Sequence, residues 1–465
     1  MRTKVIIFAC SMLVMLSIAS CLKTPDEPDE NEIILPDNSV AFNTNTQNIV
    51  VKNAVSITFS GGQTIVDNPF EGYGVTITVD KQNVTINSTV LETELEVNYV
   101  LSGITFAGFV KIYSDNRFGL LLNGVSIQNP TGAAINIQSG RRVTVTLVDH
   151  TSNRLVDEGK YHTTEGEDMK GTFFSERQLI FDGNGSLLIY GNYGHAICVD
   201  NYIRINSGNI TVNNAAKDGI HCNEYFQMEG GNLNILRAKS DGVECEKGYV
   251  AMNGGAIKVN NTDGSGIKSA ENTVISGGRI EIESRDNGIN AEGNILVTGG
   301  EIYCNSDKNG MGSKKAIAIL GGLIVSSATK SAFECDSKMF AITEGGAVGV
   351  GNATTIPTAG ECRQWAVVWG ASGFTAGQLV SIKSSGNSEV LTFKLPRAYF
   401  GSMALVYTSP LLQANTSYTI YKGGSVSGGS DFHGLYSGAV SSGGTTAATF
   451  TTSTMVTTVG NVTTR

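Results

Sequence analysis

Between Gly185 and Gly346 the chain alternates apolar and polar residues in short runs, and a glycine pair or Ser-Gly opens each run. Ser207-Gly208-Asn209-Ile210-Thr211-Val212 is followed by Gly230-Gly231-Asn232-Leu233-Asn234-Ile235 and by Gly254-Gly255-Ala256-Ile257-Lys258-Val259. The series continues through Gly277-Gly278-Arg279-Ile280-Glu281-Ile282, Gly299-Gly300-Glu301-Ile302, Gly321-Gly322-Leu323-Ile324 and Gly345-Gly346-Ala347-Val348. The second glycines, at 208, 231, 255, 278, 300, 322 and 346, recur every 22 to 24 residues. An apolar spacing of two predicts half-buried strands, and no helical stripe fits segments that glycine breaks so often. A fixed period of this length predicts a solenoid.

A second row keeps phase with the first. Asp218-Gly219-Ile220, Asp241-Gly242-Val243, Ser265-Gly266-Ile267, Asn287-Gly288-Ile289, Asn309-Gly310-Met311 and Ser331-Ala332-Phe333 each fall ten or eleven residues after a glycine pair. Each repeat is then several short strands joined by bends, and equivalent strands of successive repeats stack in parallel about 4.8 Å apart. That arrangement is an all-β parallel β-helix, in which neighbouring coils supply the core that no coil has alone. Residues 37–352 are assigned to it, with irregular first coils around Val75–Val79, Val84–Ile86, Leu120–Ile127 and Val143–Leu147. Residues 150–178 break the pattern with a polar excursion, and a loop of that length on a solenoid marks one face as a candidate binding face. Residues 353–465 lose the period and predict a small β cap whose core holds Trp365 and Trp369, with the last dozen residues frayed.

The ends of the chain add a location. Arg2 and Lys4 precede an apolar run from Val5 to Ile18, and Ile18-Ala19-Ser20-Cys21 resembles a bacterial lipobox. On this reading residues 1–20 are a signal peptide and Cys21 is lipidated, anchoring the protein at the outer membrane; an ordinary secretory signal is the alternative. Residues 21–36, with Pro25, Asp26, Glu27, Pro28, Asp29 and Glu30, form an acidic flexible tether of the kind that can direct a lipoprotein to the cell surface. The formal charge of −9 over 465 residues gives no basic face and argues against a nucleic-acid partner. The cysteine spacing suggests no zinc site: Cys222, Cys245 and Cys335 share a phase with Ser269, Ala291 and Ser313, which predicts a stack of small inward side chains with free thiols, a Cys222–Cys245 disulfide one coil apart being the alternative.

Stacked coils would bring Asp218 and Asp241 roughly 5 Å apart, where two carboxylates repel by about 0.8 kcal/mol in water and about 3 kcal/mol at an effective dielectric of 20. Glu244, Asp263 and Asp286 lie close in phase, so an outward strip would be acidic and would suit calcium, a hard cation with loose oxygen coordination. The competing reading makes Asp-Gly a turn, glycine supplying a positive φ and aspartate capping its own backbone. Lys217, Lys239, Lys268 and Arg285 alternate with the acids, and together with calcium they would bridge the carboxylates of an acidic sugar polymer. Spaced lysines are equally what a solvated face carries. His221 and Glu224 stand beside Asp218 as further candidate contacts.

Leu122-Asn123-Gly124-Val125, Gly191-Asn192-Tyr193-Gly194 and the phased Gly-Gly-x-Ile-x-Ile and Asp-Gly-Ile rows resemble a family of bacterial carbohydrate-binding right-handed β-helices. That family is similar in fold to pectate lyases and is associated with acidic polysaccharide such as polygalacturonate, together with calcium. The likeness extends over roughly residues 100–450. It implies a cation site best supported at Asp218 and Asp241, because the aspartate gives way to Ser265, Asn287, Asn309 and Ser331 further along. The expected function is therefore a surface-anchored binder of acidic polysaccharide that does not cleave it. A polysaccharide lyase with a Lys or Arg base and calcium is the first rival, and an adhesin without a sugar site is the second.

Overall fold

The computed structural model describes residues 54–90, 96–162 and 164–465. The signal segment 1–20, Cys21, the tether 21–36 and the first residues assigned to the solenoid, 37–53, lie outside the described residues.

Each repeat contributes three short strands, as in Ile220–Cys222, Tyr225–Met228 and Asn232–Ile235. Their equivalents one coil on pair with them in parallel, with Ile220 opposite Val243, Phe226 opposite Val250 and Leu233 opposite Ile257. Three parallel ladders therefore run the length of the solenoid, here numbered first, second and third in that order. The first is a sheet of twelve strands ending at Ser331–Cys335; its opening pair is antiparallel and the rest are parallel, giving about eleven turns. The predicted parallel β-helix is the fold observed.

Alternation within each strand fixes what faces in. Ile220, Val243, Ile267, Ile289, Met311 and Phe333 stack in one fully buried row. Each such side chain contributes about 1.5–3 kcal/mol when removed from water, and it can be covered only by the coils above and below. The cysteine row behaves as read: Cys222 pairs with Cys245, Cys245 with Ser269, and the described cysteines are free and buried.

Glycine at the bend between the second and third ladders is set by backbone shape. Gly208, Gly231, Gly255, Gly278, Gly300 and Gly322 all have φ between +74° and +99°, a region costly for residues with a Cβ. In the last coil the column passes to Gly345, at φ +92°, and not to Gly346. The ladder slips there, between Ile319 and Leu323, so that Gly346 pairs with Leu323 instead.

Two stretches differ from the sequence reading. Ser152–Asp157 and Gly171–Ser175 are ordinary coil strands, so the excursion narrows to 158–170. It folds back over the first ladder, where Glu167 Oε2 meets Lys111 Nζ at 2.7 Å and the Asp168 carbonyl accepts from Gln138 Nε2 at 3.0 Å. The C-terminal residues are tied down. Val456–Gly460 pairs in parallel with Ala366–Gly370, and Thr464 bridges Thr354, which leaves no frayed dozen. Unpaired strand edges at the solenoid's end supply the physical reason. Met403–Thr408 pairs with the final coil strand, while a six-stranded sheet lies against the outer face of the third ladder. There Tyr303, Val325, Val348 and Val350 are buried with Trp369, and Trp365 packs partly buried against the same cluster. The cap covers a side of the solenoid as well as its end.

Candidate functional site

The outward position of the first ladder reads, coil by coil, Cys198, His221, Glu244, Lys268, Asn290, Gly312 and Glu334. Three residues before each strand centre runs a parallel column, His195, Asp218, Asp241, Ser265, Asn287, Asn309 and Ser331. The expectation that its aspartates point into solvent does not hold: Asp218 is 2% exposed and Asp241 6%.

The Asp-Gly turn also works differently from the expectation. Gly219 and Gly242 have ordinary negative φ, and what excludes a side chain is closeness: a Cβ on Gly219 would lie 2.7 Å from the Gly242 carbonyl oxygen and 2.9 Å from Ile235 Cδ1. Nor does the aspartate cap its own backbone. Asp218 Oδ1 accepts from the amide of Asp241 at 2.9 Å, and Asp241 Oδ1 accepts from the amide of Ser265 at 2.6 Å. Further along, Asn287 Oδ1 accepts from the amide of Asn309 at 3.3 Å. Each acceptor serves the next coil because stacking brings that amide within reach of a short side chain. Asp218, Asp241 and Asn287 make this cap, whereas Asn309 Oδ1 and Ser331 Oγ in the same column are buried without a partner.

The remaining oxygens of the two aspartates join a charged cluster. Asp218 Oδ2 faces His195 Nδ1 at 3.0 Å and His221 Nδ1 at 3.1 Å. His221 Nδ1 also lies 3.2 Å from Glu244 Oε2. Lys268 Nζ lies 2.6 Å from Glu244 Oε1 and 3.4 Å from Asp241 Oδ2. The Asp218 amide points at His195 Nδ1 too, but at 3.4 Å. One ring nitrogen cannot both donate and accept, so the shorter contact assigns its proton to the bond with Asp218 Oδ2.

These contacts set the charges. Burial opposes ionisation of Asp218, yet hydrogen bonds from both histidines hold its carboxyl far below the usual range. Burial would lower His221 as well, but Asp218 and Glu244 raise it to about 9, so it is a cation at neutral pH. His195 is lowered, chiefly by burial, and stays neutral. Burial pushes Asp241 up to about 6, with Lys268 opposing. Lys268 is itself raised, its partial burial outweighed by Glu244 and Asp241.

A pH dependence follows. The folded state keeps the His221 proton that the unfolded chain loses near 6.5, so this stabilisation is complete below that pH and disappears as pH rises through about 9. The window corresponds to roughly 3 kcal/mol. Denaturation midpoints of the wild type should fall across it, and His221→Gln should flatten that slope. Asp241 adds a smaller decline between its ordinary 3.8 and about 6, which the His221 variant should retain.

The structure thus brings together Asp218, Asp241, Glu244, His221 and Lys268 from the sequence-predicted set. Asp263 and Asp286 stand apart at the coil corner, where Asp263 pairs with Arg285 at 2.7 Å and Asp286 with Lys308 at 2.9 Å. Arg285 is therefore engaged within the protein, and the predicted acidic strip is largely neutralised. Lys217, Lys239 and Glu224 are exposed at the margins. His195 escaped the sequence reading because its coil has no Asp-Gly dipeptide. Its only signal is its place 23 residues before Asp218, found by carrying the period back one coil.

Two cavities accompany the cluster. One of about 200 Å³ lies between the 158–170 excursion and the first ladder. Another of about 520 Å³ separates the third ladder from the C-terminal sheet and is lined by Arg279, Glu301, Phe432 and Tyr436, among others.

A family model described as carbohydrate-binding domain-containing protein matches residues 80–332, more than half of the chain and inclusive of the charged cluster. A protein of Acetivibrio thermocellus with the same description is 32% identical over 118 residues, 24% of this chain and 41% of that protein. The chain thus spans about two fifths of that relative's length. A solved structure titled as the polysaccharide lyase-like protein from C. thermocellum, a gadolinium derivative, is 26% identical, with a TM-score of 0.47, over 52% of this chain and 96% of that one. The chain belongs to the family of carbohydrate-binding domain-containing proteins.

Proposed function

We propose that this protein is a surface lipoprotein, anchored through Cys21 at the outer membrane, that holds an acidic polysaccharide of the polygalacturonate type along its first ladder with the help of calcium and without cleaving it. The observation that carries this reading is the convergence of the buried Asp218 and Asp241 and the half-buried Glu244 in one cluster on the outward side of the first ladder, near the exposed Lys217 and Lys239, within the family-matched residues. The donor set fits a hard cation: three carboxylates offer oxygens within 4.8 Å of one another. The cationic His221 and Lys268 compete for the same oxygens; the Lys268 side chain is 40% exposed and its long stem can swing to water, leaving His221 beside the cation. A bound calcium would replace that ammonium and present its own positive charge to a sugar carboxylate.

Lys268→Met should consequently bind calcium at least about tenfold more tightly than the wild type in calorimetric titration. An affinity that is unchanged or weaker would exclude this triad.

Neither Lys268 nor His221 is suited to be the base of a β-elimination. A base must be deprotonated near the working pH, whereas Lys268 and His221 are both raised. In affinity gels the full chain should be retarded by polygalacturonate with calcium and released by chelator, with no growth of the ultraviolet absorbance of unsaturated uronates. Steady growth would make it a lyase, and passage unretarded by any of a panel of glycans would make it an adhesin. Radiolabelled palmitate should enter the protein, and Cys21→Ser should abolish that incorporation.

A further inference from the structure

A cavity of about 520 Å³ lies where the solenoid meets its C-terminal cap, a junction of the kind that ligand sites favour. One outward row of the third ladder forms its floor: Arg279, Glu301, Leu323 and Gly346 stand in register on successive coils. The hairpin of Ser430–Phe432 and Leu435–Ser437 forms a wall, and its tip is fixed to the solenoid. The His433 ring stacks on Tyr303 at 3.7 Å, and its Nε2 lies 3.2 Å from Glu281 Oε1. The Arg279 guanidinium sits 5.3 Å from the centre of the Phe432 ring. The wall is therefore in place before any ligand arrives.

The floor ends in a residue that the backbone does not require. Gly346 has an ordinary φ, and a Cβ there would meet only Leu323 Cδ1, the end of a side chain, at 3.3 Å. Its missing side chain leaves room in the cavity and does nothing else for the fold. Apolar surface stays uncovered around that room: Leu411 is 56% exposed, and Leu435 and Tyr436 are half-buried.

The polar groups are within reach of a ligand, and their charge selects which one. The side chains of Arg279 and Glu301 are 48% and 47% exposed. Glu301, Glu389 and Asp431 set three carboxylates against one guanidinium, and Lys383, paired with Glu389 at 2.9 Å, still leaves the walls negative. A sugar acid is repelled there, whereas a neutral sugar meets both donors and acceptors. Arg279 directs Nε and Nη2 at Glu281 Oε1, at 2.7 and 2.6 Å, and Nη1 at Glu301 Oε2, at 3.0 Å. These contacts use three of its five N–H groups, and a carboxylate has about four lone-pair sites. The ion pair can stay intact and still exchange hydrogen bonds with neighbouring hydroxyls. Tyr436 adds an amphipathic ring on which the apolar face of a pyranose can lie. The volume falls within the roughly 300–1,000 Å³ of ordinary ligand pockets, which suits a few sugar rings.

We propose that this cavity binds a short neutral oligosaccharide, its hydroxyls donating to Glu301 and accepting from Arg279, with one ring against Tyr436. The protein then has a second carbohydrate site, at the cap, with a charge preference opposite to that of the first ladder. Of the lining residues only Arg279, Glu301 and Leu323 fall within the family-matched 80–332. The inference goes beyond the acidic-polysaccharide reading and does not depend on it.

The test is calorimetric titration of the full chain, with chelator present, against cellotriose, maltotriose and mannotriose, with trigalacturonate as the charged comparison. At least one neutral trisaccharide should bind the wild type, and trigalacturonate should bind at least about tenfold more weakly. Tyr436→Ala, a change at a half-buried surface ring, should weaken the neutral sugar by about tenfold. Gly346→Leu fills the cavity from its floor and should do at least as much, so the result does not depend on one variant's folding; thermal midpoints accompany both. Calcium-dependent retardation by polygalacturonate should persist in each, because the charged cluster is intact. Failure of all three neutral sugars to bind the wild type, or unchanged affinity in both variants, overturns the site. Trigalacturonate that binds as tightly as the neutral sugars, or polymer retardation lost in the variants, overturns the assignment of a neutral ligand. A wild type that binds a neutral trisaccharide in the cavity but is not retarded by polygalacturonate keeps this site and sinks the functional reading instead.

Discussion

Asp218→Ala should be the most damaging single change in the charged cluster, lowering stability by about 3–5 kcal/mol, the usual cost of removing one partner of a buried ion pair. The substitution leaves the cationic His221 beside an empty site, removes the partner of buried His195, and strips the Asp241 amide of its acceptor. Asp218→Asn should cost distinctly less. An asparagine oxygen can still cap the following coil, as Asn287 does for Asn309, so the cap is kept while the charge and the two imidazole hydrogen bonds to Oδ2 are lost. Guanidinium denaturation at neutral pH compares the three proteins directly. Equal losses for Ala and Asn would show that the coil-to-coil cap contributes nothing, and a loss under about 1 kcal/mol for Ala would contradict the buried network as a whole.

Gly255→Ala should be nearly as severe, and Gly124→Ala should not. Both glycines have positive φ, +74° and +70° respectively. The left-handed conformation alone costs an alanine about 1–2 kcal/mol. At Gly124 that is the whole effect, since a Cβ there meets nothing within 4 Å. At Gly255 the Cβ would lie 2.6 Å from the Gly231 carbonyl oxygen and 2.7 Å from Gly230 C, both backbone atoms of the preceding coil. Prising two coils apart adds about 1–3 kcal/mol, for a total of roughly 2–5 kcal/mol. Thermal midpoints of the pair separate the two contributions, and matching losses would mean that coil spacing is softer than the ladder geometry implies.

A solenoid turns distance along the chain into distance in space, which is why so much of this one can be read from its letters. The 23-residue step from Asp218 to Asp241 and the 24-residue step from Gly231 to Gly255 are both vertical neighbours in the fold. Chemistry that depends on the direction of a side chain is less legible. Asp-Gly suggests a local turn, yet Gly219 is required by the approach of Gly242 and Asp218 turns to the next coil. The acidic strip overstated the free charge because Asp263 to Arg285 and Asp286 to Lys308 are each 22 residues apart, a full repeat, so each of these two acids meets a base one coil later. That pairing was present in the spacing and called for the same arithmetic that revealed the fold. The binding of Val456–Gly460 and Thr464 into the cap carries no such signal, since a Gly, Ser and Thr-rich tail has no period to count.

The column from Asp218 through Asp241 to Ser265 gives the rod a sense of direction. Every acceptor belongs to the earlier turn and every amide it satisfies belongs to the later one. Shortening the rod from its far end therefore exposes no orphan donor among these capped amides, whereas a cut from the near end that removes Asp218 or Asp241 does. A nascent chain, made from its N-terminus, lays down each acceptor before the donor that needs it, and the winding of the rod can follow the order of synthesis.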